Sequence, residues 1–401
     1  MFTIEGTHGT AACYATNIED ACVEQIRTML GMPFAEGANT AIMPDAHFGI
    51  GCTIGTTMRI TDAVVPNLVG VDIGCGMLTA DLGHKPIDLP AFDEACHEVP
   101  SGARVWDGRK EQFDFEELRC YRELRDIKRL KRSLGTLGGG NHFIEIDVAS
   151  DGMQRLVIHS GSRNLGLQVA NYYQGLAVDL HSGKEGFFER KRKLIDAHKS
   201  AGRRDEIQAA LKELAAQYKD AEPDVPADLC WLYGSYMDDY LHDVDVCQRF
   251  AARNRERMLV EILARTGLDA SSEFHTVHNY IDVDEMILRK GAIAAHEGET
   301  VLIPLNMRDG SIIAKGRGNE EWNNSAPHGA GRVMSRREAR ETLDLREYRA
   351  AMEGIYSTLV NERTIDEAPG AYKPIEDIIG PIADAVDIID VMRPIYNFKA
   401  S

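Results

Sequence analysis

Short apolar runs in this chain repeatedly end in Gly- or Ser-flanked clusters that carry Asp, Asn, His or Cys. Gly and Pro interrupt helices, so the pattern across residues 41–82 favours strands joined by tight turns. Each cluster places a reactive side chain beside residues that let the backbone approach a ligand closely. Six such clusters occur, at residues 44–47, 72–76, 138–142, 159–163, 275–279 and 326–332.

Apolar spacing predicts the remaining secondary structure. Apolar residues recur three and four positions apart from 236 to 262, which predicts one long amphipathic helix. We expect further helices at 119–132, 165–180, 348–360 and 375–389, strands at 143–146, 156–159 and within 273–318, and a linker at 220–226. Strands on both sides of a helical insert, at about 185–267, indicate a single α+β domain spanning residues 1–401.

The charge balance argues against a protein that binds nucleic acid over its whole surface. The chain has 45 Lys and Arg residues against 63 Asp and Glu residues, a formal net charge of −18. Such a chain repels polyanions on average, so any nucleic acid that it binds requires a local basic patch. Basic residues do cluster, at 119–132, 190–193 and 332–340, although charge runs usually line solvated helix faces.

Composition and targeting signals favour a cytoplasmic protein. The first residues have neither a basic segment nor an apolar core typical of a secretory signal, and no apolar stretch is long enough to span a membrane. The eight cysteines lie scattered without CxxC pairs, which favours reduced thiols. We therefore expect no membrane association.

Thiolate, imidazole and carboxylate groups in the clusters are the side-chain ligands that transition metals prefer. Asp72 and Cys75 fall on one turn, which strengthens the case for a metal site. Taken singly, Cys75 can equally be a buried thiol, and His142 and His159 can be histidines of the core or a turn. His278 on the polar face of a strand is open to either interpretation. The residue chemistry alone would favour zinc.

Taken together and in order, the clusters resemble the RtcB-type RNA ligases. The motifs that carry the resemblance are VGVDIGCG at 69–76, LGTLGGGNHFIEI at 134–146, IHSGSRNLG at 158–166, HNY at 278–280, RKGA at 289–292, HGAGRVMSR at 328–336 and AYK at 371–373. The resemblance implies stacked β-sheets with flanking helices. It also implies a ligase that joins 2′,3′-cyclic-phosphate or 3′-phosphate RNA ends to 5′-hydroxyl ends, in RNA splicing, repair or tRNA processing.

The resemblance also implies cofactors and site residues. Two Mn²⁺ ions would be bridged by Cys75, with Asp72 and His142 on one ion and His159 and His278 on the other. His328 would take the guanylyl group from GTP and pass it to the RNA 3′-phosphate, while Arg163 would hold an RNA phosphate. An accessory activating protein is possible in such a system. The matching nucleotide positions are Asn141, His142, Phe143, Ile144, Glu145, His278, Asn279, Pro304, Leu305, Asn306, Met307, Ser311, Gly329, Ala330, Gly331, Tyr372 and Lys399.

One loop departs from the family pattern. Where most members read PGSMG, this chain has Pro304-Leu305-Asn306-Met307-Arg308. We expect Asn306 to donate to phosphate in place of serine, and Arg308 to add a positive charge. The alternative is a metal-dependent phosphodiesterase that opens cyclic-phosphate RNA ends without guanylylation. A catalytically silent RNA- or nucleotide-binding protein, or a metal-stabilised structural protein, is a third hypothesis.

Overall fold

Two stacked β-sheets form the centre of the molecule, and helices pack around them. The computed structural model describes residues 1–216 and 222–400. The first sheet has six strands, and its only parallel pair is β2–β3. In order across the sheet these are β1 (Phe2–Glu5), β2 (Thr10–Cys13), β3 (Thr40–His47), β4 (Ile54–Arg59), β12 (Ile287–Lys290) and β11 (Asn279–Asp282).

The second sheet has seven strands, all antiparallel. In order these are β10 (Glu273–Val277), β6 (Gly76–Gly83), β8 (Gln154–Ser160), β7 (Phe143–Val148), β17 (Val386–Lys399), β15 (Gly310–Gly316) and β14 (Thr300–Asn306). Two small pairs complete the strands. They are β5 (Ala63–Val64) with β9 (Leu232–Tyr233), and β13 (Ala292–Ala294) with β16 (Ser325–Pro327).

Ten α-helices flank the sheets within the described ranges. They are α1 (Asp20–Leu30), α2 (Leu89–His97), α3 (Ile127–Leu130), α4 (Arg163–Asp179), α5 (Glu185–Ser200), α6 (Ile207–Ala215), α7 (Gly234–Thr266), α8 (Arg336–Thr342), α9 (Leu345–Ala351) and α10 (Glu376–Ile382). The long helix α7 ends where Gly267 adopts a left-handed conformation, φ 68°, a common helix terminator. Across residues 1–216 and 222–400, no helix combines the length and apolarity needed to cross a membrane.

Strand alternation explains how one sheet serves both the core and a site. Successive side chains of a strand point to opposite faces, so Ile144 and Ile146 of β7 face one way and Phe143 and Glu145 the other. The isoleucines pack in a core cluster with Met258 of α7. A separate cluster joins β3 of the first sheet to β14 and β15 of the second. The mixed α+β class and the stacked sheets predicted from the sequence are confirmed.

Most predicted elements are present, but three helices are not as expected. Residues 119–132 form mainly turns around the four-residue α3, because Asp243 and Gln168 accept hydrogen bonds from the backbone amides of Arg119, Cys120 and Arg125. The helix predicted at 348–360 ends at Ala351. The helix predicted at 375–389 stops at Ile382, and the β-branched run that follows pairs with β15 instead. Residues 220–221 of the predicted linker lie outside the described part.

Candidate active site

Four of the expected metal ligands lie at one end of four neighbouring strands. Cys75 directly precedes β6, His142 precedes β7, and His278 follows β10. His159 is the penultimate residue of β8, opposite Met77 of β6 and Phe143 of β7. Antiparallel pairing therefore brings together side chains that are far apart in the sequence.

The ligand atoms of these residues converge. The Sγ atom of Cys75 lies 3.4 Å from Nε2 of His142 and 3.3 Å from Nε2 of His159. Nε2 of His159 is 3.0 Å from Nε2 of His278, and Nε2 of His142 is 2.9 Å from a carboxylate oxygen of Asp72. Cys75 thus sits between an Asp72–His142 pair and a His159–His278 pair.

The hydrogen-bond partners of His142 suit a cation at this cluster. Its Nδ1 atom lies 2.8 Å from the Leu137 carbonyl, which only accepts, so Nδ1 carries the proton. When the ring is neutral and Cys75 is ionised, Nε2, the Asp72 carboxylate and the Cys75 sulfur all present lone pairs to one another. A cation satisfies all three, and the Leu137 contact fixes the ring as expected for a metal-bound imidazole. The donor set fits a transition metal.

Burial shifts the ionisation of the cluster. Burial and the Asp72 carboxylate raise the pKa of the Cys75 thiol well above its ordinary value. A bound cation would therefore be needed to hold it as a thiolate. Burial and neighbouring histidines lower the pKa of His159 and His278 well below the usual value, so both rings are neutral. Neutral imidazole is the form that ligates metals.

His328 lies beside this cluster on the loop after β16. Its ring centroid is 5.0 Å from that of His278. Its Nδ1 atom is 2.7 Å from a carboxylate oxygen of Asp45, which is fully buried. The carboxylate accepts a hydrogen bond from Nδ1–H, and in the neutral ring this tautomer carries its lone pair on Nε2. Ring orientation and tautomer are both set by Asp45.

A cavity of about 270 Å³ opens in front of His328 and is also lined by His159 and His278. Most of the nucleotide positions expected from the sequence line it. These are Asn141, Phe143, Glu145, His278, Asn279, Pro304, Leu305, Asn306, Met307, Gly329, Ala330, Gly331, Tyr372 and Lys399. Residues from both sheets and from five connecting segments are thus gathered around one space.

Three expected nucleotide positions are not among the residues that line this cavity. His142 lines a second cavity, on the Asp72 side of the cluster of candidate ligands. Ile144 is buried on the opposite face of β7, in the core cluster with α7. Ser311 is fully buried, with its side chain next to that of Asp147. Strand alternation accounts for Ile144, whose neighbours Phe143 and Glu145 do line the cavity.

Charged side chains along the cavity are held by buried acids. Glu367 accepts hydrogen bonds from Tyr372, at 2.7 Å, and from Lys399, at 3.0 Å. Arg336 pairs with both Asp366 and Glu367, at 2.9 Å and 2.7 Å. Three of the four arginines in the basic run at 332–340 thus pair with these two buried carboxylates, whereas Arg337 is exposed.

The loop that departs from the family pattern uses its polar groups internally. The Asn306 amide donates to Asp309 at 2.7 Å and accepts from the backbone amides of Arg308 and Asp309, both at 3.0 Å. Arg308 forms a two-point ion pair with Asp309. Leu305 and Met307 are buried. In this structure the side-chain donors expected to reach a phosphate are engaged within the turn.

The second cavity, of about 450 Å³, lies on the Asp72 side of the cluster. It is lined by Asp72 and His142 together with Arg104, Arg129 and Arg163. Arg163 donates to the Gly102 carbonyl at 3.2 Å and to the Thr136 hydroxyl at 3.3 Å. Its guanidinium lies against Gly138, where any Cβ would overlap it. Glycine at 138 is thus required by the position of Arg163.

Three residues of the site were missed by sequence reasoning. Asp45 lay in a noted cluster, but nothing in the sequence shows that it meets His328. Asn254 and Arg255 occupy the buried face of α7 and bind the loops that carry the candidate ligands. Asn254 bonds to Gly135, Thr136, Ser160 and Gly161, and Arg255 donates to the carbonyls of Gly74 and Ser160, both at 2.8 Å. Polar residues within an apolar helix stripe were the available signal.

Comparison with known proteins agrees with this arrangement. The family model described as "tRNA-splicing ligase RtcB" matches residues 25–119 and 117–400. The chain is 30% identical to the RNA-splicing ligase RtcB of Escherichia coli K12, over 95% of each chain. It is 29% identical to the tRNA-splicing ligase RtcB of Aeropyrum pernix, over 88% of this chain and 86% of that protein. With nearly the whole chain matched, this protein belongs to the RtcB family.

Proposed function

We propose that this protein is a GTP-dependent RNA ligase that joins 2′,3′-cyclic-phosphate or 3′-phosphate ends to 5′-hydroxyl ends, with residues 1–401 acting as one catalytic domain. One observation carries the proposal. A histidine whose Nδ1 is held by Asp45, His328, adjoins a Cys–His cluster suited to a cation and lines the same cavity as His159 and His278. The relatives named as RNA- and tRNA-splicing ligases support an RNA substrate.

Asp72, Cys75, His142, His159 and His278 would hold the metal, which we propose to be two Mn²⁺ ions. When bound, such ions neutralise charge on phosphate oxygens and orient an in-line displacement. The protein supplies neutral imidazoles at His159 and His278 and the partly exposed Asp72 carboxylate.

His328 is the proposed nucleophile. Its Nε2 attacks the α-phosphorus of GTP, a phosphorus–nitrogen bond forms, and pyrophosphate leaves. Asp45 keeps the Nδ1 proton in place and stabilises the positive charge that develops on the ring. Gly329 and Gly331 leave space for the backbone to approach a phosphate.

The guanylyl group then passes from His328 to the RNA 3′-phosphate, and the 5′-hydroxyl oxygen attacks that phosphate and releases GMP. Glu145 lies on the cavity wall, where its carboxylate can accept from the guanine N1–H and amine. Tyr372 is available to stack on the base. Arg163 and the second cavity lie across the metal cluster from His328, and we assign the RNA end to that side.

Covalent labelling tests the nucleophile. Protein incubated with Mn²⁺ and GTP labelled at the α-phosphate should retain label after denaturation, and His328→Ala should abolish it. The exposed His84 provides a matched control, because His84→Ala removes a histidine far from the cluster and should leave labelling intact. Retention of label in His328→Ala would place the nucleophile elsewhere. A joining assay with cyclic-phosphate and 5′-hydroxyl RNA then tests the complete reaction.

One observation favours a second candidate function. The polar side chains of the 304–309 loop bond to one another, so the donors of Asn306 and Arg308 are already engaged with Asp309. A site with weakened hold on the triphosphate would retain only the metal-dependent opening of cyclic-phosphate ends. Such a phosphodiesterase would convert cyclic-phosphate RNA to 3′-phosphate RNA without GTP and would never join ends.

The cytoplasmic location, the role in tRNA processing and any accessory activating protein are likewise proposals.

A further inference from the structure

Large apolar side chains are exposed in few places within the described residues, and four of them border the site. Phe48 is 60% exposed, Ile50 65%, Val71 43% and Leu167 37%. Phe48 and Ile50 follow His47, which lines the cavity of His328. Val71 and Leu167 line the second cavity beside Arg163. Exposed apolar groups next to a functional cavity commonly mark a binding surface.

The loop that carries Phe48 and Ile50 is fixed by hydrogen bonds on two sides. The Gln25 amide donates to the Gly49 carbonyl and accepts from the Thr53 hydroxyl. The buried Lys290 ammonium donates to the carbonyls of Ile50 and Asn67, which ties this loop to the one leading to Val71. The exposed side chains are therefore held out into solvent by a fixed backbone.

The charge beside these residues identifies what they bind. Arg104, Arg129 and Arg163 line the second cavity, in a chain whose net charge is −18. Cations for the backbone together with aromatic and apolar faces for the bases are the features that bind single-stranded nucleic acid. In duplex RNA the base faces stack on one another and are not available to the exposed apolar side chains. An unpaired RNA strand uses both parts.

We propose that Phe48, Ile50, Val71 and Leu167 contact unpaired nucleobases of the RNA ends, with Phe48 stacking on a base beside the His328 cavity. The inference rests on the proposed function and extends it. The enzyme selects single-stranded ends because base contacts supply part of the binding free energy. Phe48 and Ile50 act on specificity and not on the chemical step.

Binding of a short single-stranded RNA with a 3′-phosphate, followed by fluorescence anisotropy, tests this directly. Phe48→Ala should weaken binding by about 5- to 100-fold, the range expected for loss of one base–aromatic stack. Phe48→Trp should retain binding. Phe2→Ala, which removes an exposed aromatic side chain on β1, is the matched control and should bind as the wild type does.

Salt dependence separates base contacts from phosphate contacts. Phe48→Ala should leave the slope of log affinity against log salt unchanged, whereas Arg129→Ala should lower it by about one. Unchanged affinity in both Phe48→Ala and Ile50→Ser would overturn the proposal, as would an equal loss on blunt duplex RNA. If wild-type protein takes no label from GTP, the proposed function fails. If it takes label and joins RNA while the Phe48 variants bind normally, only this inference fails.

Discussion

The Nδ1 atom of His328 and a carboxylate oxygen of Asp45 lie 2.7 Å apart, and Asp45 is wholly buried. A residue from β3 in the first sheet thereby orients a ring on the loop that follows β16. The other carboxylate oxygen of Asp45 has no hydrogen-bond partner among the described residues, so the carboxylate is committed to His328. The orientation of the His328 ring therefore depends on how β16 packs against β3 of the first sheet.

Asp45→Asn should slow covalent labelling by GTP on the order of 100-fold, because the amide cannot stabilise a positively charged His328 ring. Rapid-quench measurement of label incorporation gives the rate. Mn²⁺ content should be unchanged, since Asp45 is outside the Cys75 cluster. A labelling rate equal to that of the wild type would show that His328 does not need this carboxylate.

Cys75→Ser should reduce Mn²⁺ affinity by at least about 10-fold, because the thiolate lies between both histidine pairs and a serine hydroxyl remains protonated. Titration followed by electron paramagnetic resonance measures free and bound Mn²⁺. Cys52→Ser, at a buried cysteine outside the cluster, is the control for general damage. Undiminished Mn²⁺ affinity in Cys75→Ser would contradict the bridging position.

Asn254→Ala should lower the free energy of unfolding by about 2–4 kcal/mol. The substitution leaves the buried amides of Gly135 and Thr136 without an acceptor and removes three further hydrogen bonds. Urea unfolding followed by circular dichroism measures the change. A loss below about 0.5 kcal/mol would mean that water replaces the amide at little cost.

Stability should fall with rising pH because of two buried carboxyls on β7. Burial raises the pKa of Asp147 to about 6, and burial and Asp147 raise the pKa of Glu145 well above its ordinary value. The folded protein therefore holds protons that the unfolded chain releases near pH 4. The resulting stability is complete below about pH 4, and each contribution is lost as pH rises through the folded-state pKa of that carboxyl, about 6 for Asp147.

Asp147→Asn cannot titrate at this position and removes the charge that opposes ionisation of Glu145. Its free energy of unfolding relative to wild type should therefore rise by about 1–3 kcal/mol between pH 5 and pH 7.5. Urea unfolding in the presence of a chelator isolates this effect from metal binding. A difference that stays constant across the two pH values would show that Asp147 is ionised throughout.

The sequence predicted the local features of the fold well, because they depend on local patterns. The repeat of apolar residues in α7 and the alternation in β7 are each visible within a few residues. The local pattern predicts a helix that includes residues 386–389. In the structure these residues belong to β17 and pair with β15 residues about 70 positions earlier, a contact that no local pattern encodes.

The site divides in the same way. The clusters containing Asp72, Cys75 and His328 were recognisable as motifs. The role of Asp45 follows only from its contact with His328, which lies 283 residues away in the sequence. The Asn306 side chain was expected to face a phosphate, yet the adjacent Asp309 provides a nearer partner. A comparison of one position with a family pattern does not show that a neighbouring side chain competes for the same hydrogen bond.

Strand β17 sits between β7 and β15, and its residues Asn397 and Lys399 reach the cavity wall. It is synthesised after every other strand of that sheet. During synthesis, β7 and β15 each keep one unpaired edge until residues 386–399 have left the ribosome. A nascent chain stalled before residue 386 would thus carry every candidate metal ligand and His328, but no closed cavity in which to use them.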